Sequence, residues 1–228
     1  MKKLFITATG TEIGKTVVTT TLAWQARKKG KSVRVLKPVI SGFDEKTCNQ
    51  SDTTQILQCL EIEQTNAAIE SISPWRFKAP LSPDMAAARE GMRLDFESIV
   101  EFCREAEAGS DDLLLIEGVG GLMVPLTDSK TVLDWIQALK YPVIMVAGSY
   151  LGTISHTLTT VETAQKFGLN VASIVISESE YSPVPIHETA NSIKRFLTNI
   201  PILELPRLAP SSTPWQKAPE LTIKNSVT

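Results

Sequence analysis

The sequence predicts an α/β fold of three layers, a mostly parallel sheet with helices on both faces. Three observations point there. Short apolar runs alternate with helix-period stretches along the chain, the pattern of repeated strand–helix–strand crossovers. The runs Leu113-Leu114-Leu115-Ile116 and Val143-Ile144-Met145-Val146 are apolar at every position, as strands covered on both faces must be. No internal repeat or low-complexity linker divides the chain, so residues 1–228 are expected to form one domain.

Taken in order, residues 4–7 form a short β-leaning run, and a helical stretch follows from 15 to 29. That stretch sets Val18, Leu22 and Ala26 on one face and ends at Gly30 after a basic last turn, a C-cap pattern. Residues 33–37 read as a second strand closed by Pro38, then comes a loop with Ser41 and Gly42, then a short helix from about Asp52. Ser82-Pro83 places proline at a first helical position and opens a helix over 84–89. Phe96, Ile99, Val100 and Cys103 recur at helical spacing within 95–107. Further strands are expected at 113–116, 143–146, 171–176 and 202–205, with helices at 151–167 and 186–197. The Pro-, Ser- and Thr-rich tail after Leu208 is expected to pack loosely.

Composition excludes several classes of function. A hydrophobic share of 43% can fill a sizeable core, so disorder is excluded. The formal net charge of −2 gives no broad pull toward nucleic acid or an anionic membrane, so neither is expected as a partner. Cys48, Cys59 and Cys103 are scattered, and no CxxC spacing joins them to the two histidines as a metal site. Reduced thiols in a cytoplasmic protein are the natural reading. The opening Met1-Lys2-Lys3 leads an apolar run that stops at a glycine turn, unlike an export signal. No run is long and apolar enough to span a bilayer.

The strongest motif is Ala8-Thr9-Gly10-Thr11-Glu12-Ile13-Gly14-Lys15-Thr16, set between a strand and a helix. This is the setting of a Walker A phosphate loop. A tight turn at Gly14 lets successive main-chain N–H groups, through Val17, face phosphates at the positive end of the helix. Lys15 can reach the β- and γ-phosphates, and the Thr16 hydroxyl can ligate Mg²⁺. Ala8 stands where the motif expects glycine; its methyl is tolerable if Ala8 ends the strand with ordinary dihedrals.

Three further residues fall at strand ends or beside them. Lys37 follows the second strand, at the sheet edge where open α/β folds bind ligands. Glu117 ends the fully apolar run and is followed by Gly118-Val119-Gly120-Gly121. A carboxylate there suits the cation held by Thr16, and the glycines suit close approach of main chain to a ligand. Asp52 reads equally well as a helix N-cap or as a second metal-directed carboxylate.

Together these motifs resemble the dethiobiotin synthetase family. The resemblance rests on Thr11 through Thr16, Lys37-Pro38-Val39-Ile40-Ser41-Gly42, Ser51-Asp52 and Glu117 through Gly121. It continues in Tyr141-Pro142-Val143-Ile144 and Leu151-Gly152-Thr153-Ile154-Ser155-His156-Thr157-Leu158. It implies a homodimeric P-loop fold with a sheet of about seven strands, and an ATP- and Mg²⁺-dependent ligase that closes a ureido ring. The substrates implied are diaminopelargonate, carbon dioxide and ATP. Lys15, Lys37 and Thr11 would be catalytic, and Thr16, Asp52 and Glu117 would hold Mg²⁺. Thr11, Lys37 and Ser41 would meet the substrate near its amines, and Leu151, Gly152 and Ser155 of a partner subunit would hold its carboxylate tail. Glu12 through Val17 and Gly118, Val119 and Gly120 would bind ATP; Ser177, Glu178, Pro206, Arg207 and Leu208 would embrace its base. His156 is expected to be a satisfied core or interface residue.

Some positions depart from the family pattern. Gly10 replaces a common aspartate, Asp84 a histidine, Ser155 an asparagine, and Ser177-Glu178 an Asn-Asp pair. Serine reaches less far and offers fewer donors than asparagine, so a relaxed nucleotide-base preference is expected. Two related classes compete. Amide-forming P-loop synthetases carry a glutamine-hydrolysing domain for which this chain is too short. Partition-type ATPase switches carry an extra lysine early in the loop, where this chain has Ala8, Thr9 and Gly10.

Overall fold

The structure is a computed structural model that describes residues 1–44 and 51–223. Six strands form the main sheet: β1 (Lys2–Ala8), β2 (Val33–Leu36), β5 (Leu113–Glu117), β6 (Val143–Ala147), β7 (Val171–Ser177) and β8 (Ile202–Leu205). Their spatial order is β2-β5-β1-β6-β7-β8, and every neighbouring pair runs parallel. Two short strands, β3 (Val39–Ser41) and β4 (Trp75–Phe77), pair separately in parallel.

That split is a correction to the sheet of about seven strands that the resemblance implies. Its cause is local. The Lys37 N–H donates to the Ile72 carbonyl at 3.1 Å and so turns away from the main sheet. Pro38 has no N–H to continue the ladder. β3 therefore restarts against β4, with the Trp75 N–H donating to the Pro38 carbonyl. Ser41, expected in a loop, is the last residue of β3.

Eight helices flank the strands among the described residues: α1 (Lys15–Lys28), α2 (Asp52–Leu60), α3 (Asn66–Ile72), α4 (Pro83–Arg89), α5 (Phe96–Glu105), α6 (Val132–Leu139), α7 (Thr153–Lys166) and α8 (Ile186–Lys194). Side-chain alternation on the strands divides the core in two. Leu4 and Ile6 face one layer with Val18 and Leu22 of α1, whereas Phe5 faces the other with Trp135 of α6. Phe5 and Trp135 meet edge to face with centroids 4.9 Å apart. β5 is buried at all five positions, as its unbroken apolar run requires.

The described part of the tail after Leu208 is mostly exposed or half-buried but is anchored at two buried residues. Trp215 is 1% exposed and packs in the α1-side core with Leu221. Gln25 of α1 bonds main chain at both Pro219 and Leu221, which fastens the segment down. Its Pro, Ser and Thr content hid one large apolar anchor. Cys59 and Cys103 are free and buried, and burial pushes the Cys59 thiol up to about 12; Cys48 lies outside the described residues. No helix among the described residues is long and apolar enough to cross a membrane.

Candidate active site

Strand order assembles the site. Because β5 lies between β2 and β1, the carboxyl ends of three adjacent strands present Lys37, Glu117 and the phosphate loop side by side, with about 4.8 Å between strands. Ala8 is the last residue of β1, paired with Val146, and its φ is not positive. Its methyl therefore requires no left-handed backbone. The left-handed positions are Glu12 (φ 59°) and Gly14 (φ 92°). Glycine is the natural occupant at Gly14, where a Cβ would also lie 2.4 Å from Ser177 Oγ. Gly14 is the N-cap of α1, which aims that helix's free N–H groups into the loop. Gly121 serves a different contact from the one expected. Its position lies against the main chain of Gly10, where an added Cβ would be 3.2 Å from Cα. The glycine turn thus buttresses the phosphate loop, while Val119 and Gly120 face the cavity.

A cavity of about 580 Å³ is lined by Thr11 through Val17, Lys37, Ser41 and Asp52. Beneath it, Lys37 Nζ lies 2.6 Å from Glu117 Oε1 and 2.9 Å from Asp52 Oδ2. The Thr16 hydroxyl donates to the same Glu117 oxygen at 2.8 Å. Lys37 is 3% exposed and Glu117 fully buried; Asp52 opens to the cavity with its side chain 37% exposed. Burial opposes the charge on Lys37, but Asp52 and Glu117 outweigh it and lift the ammonium above the usual lysine range. Burial likewise opposes the charge on Asp52, and Lys37 outweighs it, holding that carboxyl below the usual range. Lys15 has no ion-pair partner among the described residues, and its ammonium donates to the Gly10 carbonyl at 3.5 Å. Burial first, then the charge of Lys37, pushes it down to about 8.

Asp52 is not the helix cap. Ser51 is, its hydroxyl accepting from the Thr54 N–H, so the carboxylate of Asp52 is free for Lys37. The capping reading is set aside by this neighbour, which is equally polar and one position earlier. Gly118 stands behind the wall, where its missing Cβ leaves room for Phe5 and its carbonyl lies 3.4 Å from Lys37 Nζ.

A second cavity of about 510 Å³ shares Glu12, Ile13, Gly14 and Val17 with the first and adds Ser177, Glu178, Pro206, Arg207 and Leu208. Glu178 Oε2 accepts from the Arg207 N–H at 2.8 Å, and the Arg207 guanidinium pairs with Glu180 at 3.1 Å. Leu151, Gly152 and Ser155 line neither cavity. His156 is exposed rather than in the core, with Nδ1 2.9 Å from the Tyr150 hydroxyl. The sequence reading missed the cavity's apolar side, Pro80, Leu81 and Val124, and the polar Gln55. Only the Ser82-Pro83 helix start hinted that chain from α4 would approach.

Comparison with known proteins follows the same lines. A family model described as an AAA domain matches residues 2–214. An ATP-dependent dethiobiotin synthetase of Acidiphilium cryptum is 46% identical over 202 residues, spanning 88% of this chain and 91% of its own. One from Caulobacter vibrioides is 44% identical, spanning 91% of this chain and 93% of its own. A ParA family ATPase from Chlorobium tepidum superposes with a TM-score of 0.54 at 12% identity, covering 91% of this chain and 85% of that one. Identity so low shows a shared fold and nothing more, whereas the curated relatives match nearly end to end: the chain belongs to the ATP-dependent dethiobiotin synthetase family.

Proposed function

We propose that this protein closes the ureido ring of dethiobiotin, joining diaminopelargonate and carbon dioxide at the expense of ATP. The observation that carries the reading is the meeting of Lys15, Lys37, Asp52 and Thr16 on one cavity with Glu117 directly beneath. Relatives at 44–46% identity, named for this activity, support it. In the reaction, carbon dioxide adds to one amine as a carbamate. A carbamate oxygen takes the γ-phosphoryl group, and ADP leaves. The second amine then attacks the carbonyl carbon, the ring closes, and phosphate departs. The chain's own part is positioning and electrostatic stabilisation. Main-chain N–H groups of residues 12–17 and the Lys15 ammonium hold the phosphates, Lys37 steadies carbamate and phosphoryl charge, and Thr11 and Ser41 orient the amines. Ser177, Glu178, Pro206, Arg207 and Leu208 take the base.

Magnesium fits the donor set. Mg²⁺ favours one or two carboxylates, with water and phosphate oxygens completing its shell. Asp52, Glu117 and the Thr16 hydroxyl supply that complement, and Glu117 Oε2 is buried without a partner among the described residues. When bound, the ion would neutralise phosphate charge as a Lewis acid. The protein acts as a cytoplasmic homodimer in this reading, with Leu151, Gly152 and Ser155 serving the neighbouring subunit's substrate carboxylate. Leu151 is 85% exposed, as a residue serving a neighbour would be.

The test is phosphate release measured with each component omitted in turn. Release is expected only when ATP, Mg²⁺, diaminopelargonate and bicarbonate are all present, and chelation of the metal should stop it. Release that ignores the diamine would overturn the proposal.

A further inference from the structure

Lys37 occupies an unusual position for a residue that is to meet a substrate. Its ammonium lies among Glu117 Oε1 at 2.6 Å, Asp52 Oδ2 at 2.9 Å and the Gly118 carbonyl at 3.4 Å. These carboxylates, with the Thr16 hydroxyl that bonds the same Glu117 oxygen, are the donors a hard divalent cation would select. At 3% exposure for Lys37 and none for Glu117, solvent screens two cations from each other only weakly. A monovalent and a divalent cation about 4 Å apart in such a setting repel each other, which disfavours their sharing these oxygens.

We propose that the Lys37 ammonium and the divalent cation are alternative occupants of the Asp52–Glu117 pair. Metal arriving with the nucleotide displaces Lys37 and delivers its charge to the substrate side of the cavity. The lining of the cavity sets the destination. Lys37, Thr11 and Ser41 line one cavity, and the buried Ser41 hydroxyl has no partner among the described residues. Lys15, a like charge, blocks the phosphate-loop side. A lysine on a flexible four-carbon stem can make this move, whereas a rigid guanidinium could not without remaking its fork of bonds. The role of Lys37 after displacement rests on the function proposed above; the exchange itself rests only on these contacts. Its consequence is ordering: the catalytic charge is paired and held back until the metal is in place.

The exchange is tested by Mn²⁺ binding, read from the electron paramagnetic resonance of the free ion, without nucleotide or turnover. Lys37→Met removes the internal competitor and leaves both carboxylates, so its Mn²⁺ affinity should exceed that of the unaltered protein at least tenfold. Asp52→Asn added to it should abolish the gain. Equal affinity in a folded Lys37→Met protein overturns the exchange. Should that variant fail to fold, crystals of the unaltered protein with a non-hydrolysable ATP analogue decide the matter. Lys37 should bond Glu117 when metal is chelated and leave hydrogen-bonding distance when Mg²⁺ is present; a bond kept in both overturns the exchange. Neither arm uses the diamine. Failure here therefore leaves the ring-closing function standing, and loss of diamine-dependent phosphate release would leave the exchange standing.

Discussion

The two cavities that share Glu12, Ile13, Gly14 and Val17, read here as the phosphate end and the base end of the proposed nucleotide site, are built on different principles. At the phosphate end, three adjacent strand termini and a helix N-cap converge, and the charged groups are buried against one another. At the second cavity, the segments after β7 and β8 meet, the Arg207 guanidinium pairs with Glu180 in solvent, and Glu178 accepts from the Arg207 main-chain N–H. Backbone topology sets the first end, so few side chains could be exchanged there. Side chains on loops set the second, and exposed ion pairs contribute little to stability. The phosphate chemistry should accordingly be intolerant of change, and base recognition permissive.

Lys37→Ala strikes the intolerant end hardest. Turnover should fall by about 10²- to 10³-fold, the cost of losing one preorganised electrostatic partner, while nucleotide affinity measured by calorimetry with divalent cation chelated stays largely intact. A variant that kept most of its turnover would erase the contrast between the ends. Trp215→Ala asks whether the tail beside the second cavity is true core. Denaturant titration should show a loss of about 3–5 kcal/mol, and a loss near zero would return the tail to a loose covering. Gly14→Ala combines the left-handed φ of 92° with a Cβ that would press on Ser177 Oγ. Nucleotide affinity should fall roughly tenfold. Gly10→Ala, with nothing within 4 Å of the added Cβ, should leave it unchanged.

Protonation offers a finer probe. Lys15 titrates near about 8, below its ordinary 10.5. The unfolded chain then holds more protons between those values, so this group's contribution makes the free protein more stable as pH rises across that window. Triphosphate beside it favours the charged form. Nucleotide binding just above about pH 8 should therefore take up protons, seen as a buffer-dependent heat; no uptake would remove Lys15 from the phosphates. The smallest effect belongs to the base end. Turnover with ATP, CTP and GTP should differ by no more than roughly tenfold, and strict dependence on ATP would show that Ser177 and Glu178 discriminate as sharply as the asparagine–aspartate pair they replace.

Local sequence determined a good deal of this protein. Periodicity and apolar runs located all six strands of the main sheet, most plainly β5, which is buried at every position and carries its one polar residue, Glu117, at its end. Gly14-Lys15-Thr16 after such a strand defined the phosphate loop, since only that spacing lets main-chain N–H groups converge on an anion. What stayed hidden depends on partners distant in the chain. β3 and β4 are three residues each, too short for any period, and exist because Pro38 breaks one ladder and Trp75 supplies another. Asp52 could not be told from a cap until Ser51 took that role and Lys37 came within reach. Trp215 in a polar tail shows no pattern of its own; α1 provides the surface that buries it. Sequence alone specified the residue types and the order of the elements. Only the tertiary structure decided that β5 would lie between β1 and β2, and that insertion turns Lys37, Glu117 and Thr16, scattered along the chain, into one buried cluster of charge.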